Sequence, residues 1–143
     1  MNETGEREAG VFTLLHAAGA AQDLLEARLG GAGLSLAKLA ALSALRDAGE
    51  SLPLSQLAER LSCVRSNITQ LVDRLVADGL VSRAADPHDR RSRLAVMTSA
   101  GREACETGTR IQQQAEQALL SELSPAERRQ LAVLMAKLER SAR

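Results

Sequence analysis

A chain of 143 residues fits one ordinary domain, or a small head joined to an oligomerisation region. Apolar residues make up 45% and aromatics 1%, with Phe12 alone. That composition excludes disorder and calls for a core of Leu, Val and Ala, which suits helices better than strands.

Net charge is zero but unevenly spread. Residues 1–50 carry four basic and seven acidic side chains, residues 51–98 seven and five, and residues 99–143 seven and six. The mildly basic middle owes its excess mostly to Arg90, Arg91 and Arg93, a small footprint for a polyanion. No apolar run approaches the roughly 20 residues of a membrane span, and the charged stretch Met1 to Glu8 is not a signal peptide, so a cytoplasmic protein with no membrane partner is expected. Cys63 and Cys105 are too few for a disulfide framework and lack metal-ligand spacing; no cofactor or metal is expected.

Along the chain, Val11, Leu14, Leu15, Ala18, Ala21, Leu25 and Leu29 recur at helical steps, predicting a helix from Arg7 to Leu29 that Gly30, Gly31 and Gly33 end. Ser35 stands as N-cap to a second helix with Leu36, Leu39, Leu42 and Leu45 on one stripe, closing at Gly49. A short third helix follows Pro53, with Ser55 as its cap and Leu57, Ala58 and Leu61 facing inward. After a turn at Ser62, Cys63 and Val64, Ile68, Leu71, Val72 and Leu75 mark a fourth helix that Gly79 stops. Leu80 to Ala84 and Arg93 to Met97 read as strands of a hairpin whose tip is Asp86-Pro87-His88-Asp89-Arg90-Arg91. A long fifth helix starts at Thr98. Ser124-Pro125-Ala126-Glu127 is a capping box opening a last helix with Leu131, Leu134, Met135 and Leu138.

The fold class that follows is mainly α with a small β-hairpin. Residues 35–98 form a winged helix-turn-helix head. Residues 1–34 and 99–143 form a helical dimerisation region, because their apolar stripes exceed what one small head covers.

Opposite its apolar stripe the fourth helix displays Arg65, Ser66, Asn67, Thr69, Gln70 and Arg74. Asn and Gln pair bidentately with adenine, Arg with guanine, and Ser or Thr reach phosphates or the thymine methyl. An ordinary solvated helix face has the same polarity, but it would be rich in Glu and Lys, which are missing here. At the tip, Arg90, Arg91 and Arg93 would reach phosphates or a narrow minor groove, with one of Asp86 and Asp89 pairing with an arginine to shape the loop. The bland alternative is a loop kept soluble by self-neutralised charge.

These segments resemble the MarR family of winged helix-turn-helix transcription regulators. Leu57 to Leu61, Ser66 to Leu75 and Gly79-Leu80-Val81 are similar to its helix-turn-helix, and Asp86 to Ser92 to its wing motif DPxDRR. Thr98 to Gly101 and Leu123 to Glu127 are similar to the LTxxG and LSxxE that open its last two helices. The resemblance spans about Leu36 to Leu138. It implies a homodimer with interlocked terminal helices, binding pseudo-palindromic double-stranded DNA, often as a repressor released by a small phenolic or apolar effector or by thiol oxidation. By position it implies Ser66, Asn67, Thr69, Gln70 and Arg74 on the recognition helix, beside the Arg65 of the polar face, and Arg90, Arg91 and Arg93 on the wing, with Asp89 bracing an arginine. The sequence departs from the family at Gln70, often Arg, and at Val64, usually a Ser or Thr cap.

Cys63, in the turn, is expected to be a buried structural thiol, with redox sensing as the alternative; Cys105 is the weaker sensor. The resemblance implies an effector pocket lined by the first, second and fifth helices, to which these otherwise Leu- and Ala-rich segments offer His16 and Arg46 as polar side chains. An enzyme would need a convergent nucleophile, base or metal set, and two histidines and two cysteines at unrelated positions supply none. The remaining rival is a winged-helix protein-interaction module, which would not need the wing arginines or the Arg/Asn/Gln face.

Overall fold

The computed structural model describes residues 8–61 and 67–143. Six helices and three strands follow in order: α1 (Val11–Gly30), α2 (Leu36–Asp47), β1 (Ser51–Pro53), α3 (Leu54–Arg60), α4 (Ile68–Ala77), β2 (Val81–Asp86), β3 (Asp89–Met97), α5 (Ser99–Leu119) and α6 (Pro125–Ser141). The chain is mainly helical with a small antiparallel sheet, as expected. The sheet has a third strand that periodicity does not reveal: β1 pairs with β3, Ser51 opposite Val96, and gives the order β1-β3-β2. With only three residues, one of them proline, β1 exists because its neighbour supplies the ladder.

Local chemistry explains most of the helix ends. Ser35 Oγ accepts from the Lys38 amide at 3.2 Å, capping α2, and Gly49 closes that segment at φ +85°. α3 starts one residue after Pro53 with no side-chain cap, so Ser55 lies inside its first turn and is not the cap expected. Gly79, at φ +74°, turns the chain from α4 into the hairpin. α6 opens with the reciprocal box: Ser124 Oγ accepts from the Glu127 amide at 3.1 Å, and Glu127 Oε1 accepts from the Ser124 amide at 3.0 Å.

The core is aliphatic. Leu42, Leu45, Leu57, Val72 and Leu75 are fully enclosed where α2, α3 and α4 meet, and Ala95 and Met97 cover them from the sheet. Burying each Leu or Val contributes about 1.5–3 kcal/mol. α5 joins this head through a very close approach. Gly101 lies in its first turn, and a Cβ there would stand 2.1 Å from the Leu80 carbonyl oxygen. Thr98 locks the same corner: its hydroxyl donates to the Gly79 carbonyl at 2.7 Å and accepts from the Gly101 amide at 3.0 Å. Glu50, at φ +77°, receives Arg102 from α5 at 2.7 Å.

The terminal helices are different. α1 buries only Leu29 fully, and α6 buries nothing. Phe12 is 75% exposed, and Val11, Leu15, Val133, Leu134, Met135 and Leu138 are all exposed. Arg128 fixes how α6 leaves α5, donating to the Leu120 carbonyl at 2.7 Å and the Leu123 carbonyl at 3.2 Å.

Gly101→Ala should therefore destabilise the protein by about 1–3 kcal/mol in urea unfolding, overpacking against backbone outweighing the roughly 1 kcal/mol gained in helix propensity. Gly108→Ala should cost less, because its added Cβ meets methyl ends of Leu39 and Leu34 rather than a carbonyl. Equal losses at the two sites would refute the Gly101–Leu80 contact as the tighter joint.

The Ser124 amide, and then its hydroxyl, hold the Glu127 carboxyl below its usual range. Its folded pKa is thus lower than its unfolded one, so the stabilisation is present above the unfolded value and disappears as pH falls through the folded value. Circular dichroism should show α6 losing helicity over that acid interval, and Glu127→Gln should remove the pH dependence while keeping the helix.

Candidate nucleic-acid interface

The helix-turn-helix comprises α3 and α4, and α4 carries the polar face. It begins at Ile68, later than its first polar residues suggest, because Asn67 is its cap: Oδ1 accepts from the amides of Thr69 at 3.1 Å and Gln70 at 3.3 Å. Val64, where the family usually has its cap, lies outside the described residues. The role expected of Asn67 also changes, since an Oδ1 engaged in capping leaves Nδ2 as donor and cannot take part in a bidentate pairing with adenine. Leu71, Val72 and Leu75 are buried on one side, while Thr69, Gln70, Asp73 and Arg74 are exposed on the other. Arg65, Ser66 and Cys63 lie outside the described residues.

Two acids sit at this face, and each is met by a cation from another element. Arg83, on β2, pairs with Asp73. Lys38, on α2, reaches Asp78 with Nζ 2.7 Å from Oδ2. Arg74 has no ion-pair partner among the described residues. The outcome is a helix face whose negative charge is offset from outside while its own cation stays available. Sequence reasoning missed Lys38 and Arg83, which lie 40 and 10 residues from their partners.

The wing is the β2–β3 hairpin, with a bulge between Ala85 and Asp86. Its two aspartates shape the tip through backbone: Asp86 Oδ1 accepts from the His88 amide and Asp89 Oδ1 from the Arg91 amide, each at 2.9 Å. The expected carboxylate–guanidinium pair does not form. A short Asp side chain reaches the amide two residues on more readily than a long arginine folds back to it. Asp89 thus braces the main chain at Arg91, leaving Arg90, Arg91 and Arg93 exposed and without ion pairs among the described residues. Asp89, Arg91 and Arg93 join Ser92, Leu54 and Ser55 around an open groove of about 360 Å³ at the start of α3.

The effector residues are not brought together. His16 is exposed on α1 with no hydrogen bond among the described residues. Arg46 is spent tying α2 to α5, donating to Thr109 Oγ1 at 3.3 Å and lying 3.6 Å from the buried Cys105 Sγ. A separate apolar cavity of about 270 Å³ lies between α1, α5 and α6, walled by Leu14, Ala18, Ala21, Leu119, Leu131 and Met135 among others.

A helix-turn-helix followed by an arginine-bearing hairpin, which pairs with a strand preceding the two helices, defines the winged-helix class. A sequence profile of the MarR family matches residues 32–92. YkoM, an uncharacterised helix-turn-helix transcriptional regulator of Bacillus subtilis, is 37% identical over 84 residues, 59% of this chain and 54% of that protein. The chain spans about half the length of the curated relatives it matches. Among solved structures, a probable transcriptional regulator from Pseudomonas aeruginosa is 33% identical with a TM-score of 0.78, covering 89% of this chain and 94% of that one. A mutant of E. coli MarR complexed with operator DNA is 26% identical with a TM-score of 0.79, covering 91% and 99%. The chain belongs to the MarR family of transcription regulators. Among the described residues no helix is long and apolar enough to cross a membrane.

Arg83→Ala should leave the fold intact but expose the Asp73 charge, weakening binding to all duplex DNA several-fold. Adding Asp73→Asn should restore most of that loss in a fluorescence-anisotropy titration. A single variant that binds as the wild type would remove Arg83 from the interface.

Proposed function

We propose that this chain is a homodimeric, sequence-specific regulator that binds a pseudo-palindromic operator and acts as a ligand-responsive repressor. The observation that carries the reading is the face of α4, where Thr69, Gln70 and Arg74 are exposed and both acids are paired off by other elements. Arg74 and Gln70 read base edges in the major groove, and Arg90, Arg91 and Arg93 reach the flanking backbone or minor groove. Asn67 contributes by setting where the helix starts, with its Nδ2 as a donor. Arg65 and Ser66, which precede that cap in sequence, are further contacts to the same duplex.

Residues 35–98 are the DNA-binding region, and residues 1–34 and 99–143 the dimerisation region. The exposed apolar side chains of α1 and α6 support pairing, since a monomer would leave them all in water. The operator complex of E. coli MarR supports duplex DNA as the ligand. A small apolar or phenolic effector would occupy the apolar cavity between α1, α5 and α6, where neither His16 nor Arg46 stands.

Selection of bound duplexes from a random pool, with sedimentation of the free protein, tests this. The expected results are a palindromic consensus and a dimer at micromolar concentration. Gln70→Ala should relax preference at one position per half-site, at a loss of about 1–3 kcal/mol there. A monomer of about 15 kDa with no consensus would instead support a protein-interaction module.

A further inference from the structure

The groove between the start of α2 and the outer face of α4 is walled by Ser35, Ala37, Lys38, Asn67, Gln70, Leu71 and Arg74, and has a volume of about 320 Å³. We infer that it seats a phosphate of the DNA backbone and that Lys38 is the residue that grips it. The inference rests on the reading of α4 as the helix that enters the major groove.

A helix lying in the major groove has the bordering phosphates along its flanks, so a groove along such a helix faces them. Gln70 and Arg74 form one wall, which ties the groove to the base-reading face itself. Lys38 forms the other. Its side chain is only 19% exposed, so its stem is already held and little rotamer freedom remains to be lost on binding. An ammonium has three donors; Asp78 takes one, and two remain for a phosphate oxygen.

The surrounding charges define what the groove accepts. Lys38 and Arg74 are positive, and Asp78 stands beyond the ammonium. Glu26, whose Oε1 accepts from the Leu36 amide at 2.9 Å, already occupies the first turn of α2. The helix dipole of α2 is therefore spent on Glu26, and the grip on the phosphate falls to the Lys38 ammonium. Asp78 limits the affinity while holding Lys38 in place.

Salt titrations of binding to the selected operator and to unrelated duplex test the inference, using the full chain with Lys38→Gln, Lys38→Arg, Asp78→Asn and Gln70→Ala. Lys38→Gln should weaken both duplexes by the same several-fold factor and reduce the salt slope by about one unit per protomer. Lys38→Arg should recover most of the loss, and Asp78→Asn should tighten binding to both. Base preference should shift only in Gln70→Ala. An unchanged slope in Lys38→Gln, with thermal melting lowered instead, would make the Lys38–Asp78 pair a structural strut and overturn the inference. If Gln70→Ala still alters base preference in that case, the reading of α4 survives. If Gln70→Ala changes nothing, that reading falls and this one with it.

Discussion

The contact between Gly101 and the Leu80 carbonyl governs how the two parts of the molecule meet. The helix-turn-helix with α4 lies on one side of it, and the long helix α5, against which α1 packs, lies on the other. No side chain fits between α5 and the Gly79–Leu80 turn, so the helix comes down directly on the end of the helix-turn-helix. Thr98 then bonds to both partners, its hydroxyl serving the Gly79 carbonyl and the Gly101 amide at once. At this corner the contact is made of backbone and one short hydroxyl side chain, with the Arg102–Glu50 pair beside it.

Electrostatics follow a related economy. A chain of zero net charge binds a polyanion poorly on average, so the charge must be arranged locally. The protein does this by pairing off acids rather than by adding cations. Asp73 and Asp78 are each answered from another element, while Asp86 and Asp89 are satisfied by backbone amides. These arrangements cost Arg74 and the wing arginines nothing, and their guanidinium groups stay available. The wing aspartates thus act on the path of the chain and leave the arginine side chains alone.

Much of this was legible in the sequence wherever the determinant is local. Ser35, Gly79 and the Ser124–Glu127 box mark ends that hydrogen bonds within three residues create, and the aliphatic stripes of α2 and α4 give their buried faces directly. β1 escaped because three residues carry no period and the strand depends on β3. Asn67 is ambiguous in the sequence, because an asparagine on a polar face looks the same whether it caps or reads bases. Lys38 and Arg83 were invisible as partners of Asp78 and Asp73, since helical periodicity says nothing about side chains that meet across elements. The family resemblance named the wing aspartate without indicating that a main-chain amide is what it holds.

The rigid corner at Gly101 also makes α5 a lever. A helix of 21 residues is about 30 Å long, so a tilt of about 10° at the joint carries its far end roughly 5 Å. The rise between base pairs is about 3.4 Å, so such a tilt exceeds one step along a duplex. In the dimer proposed above, the same angle would change the spacing of the two heads. Small disturbances among α1, α5 and α6 would be read out in units of base pairs.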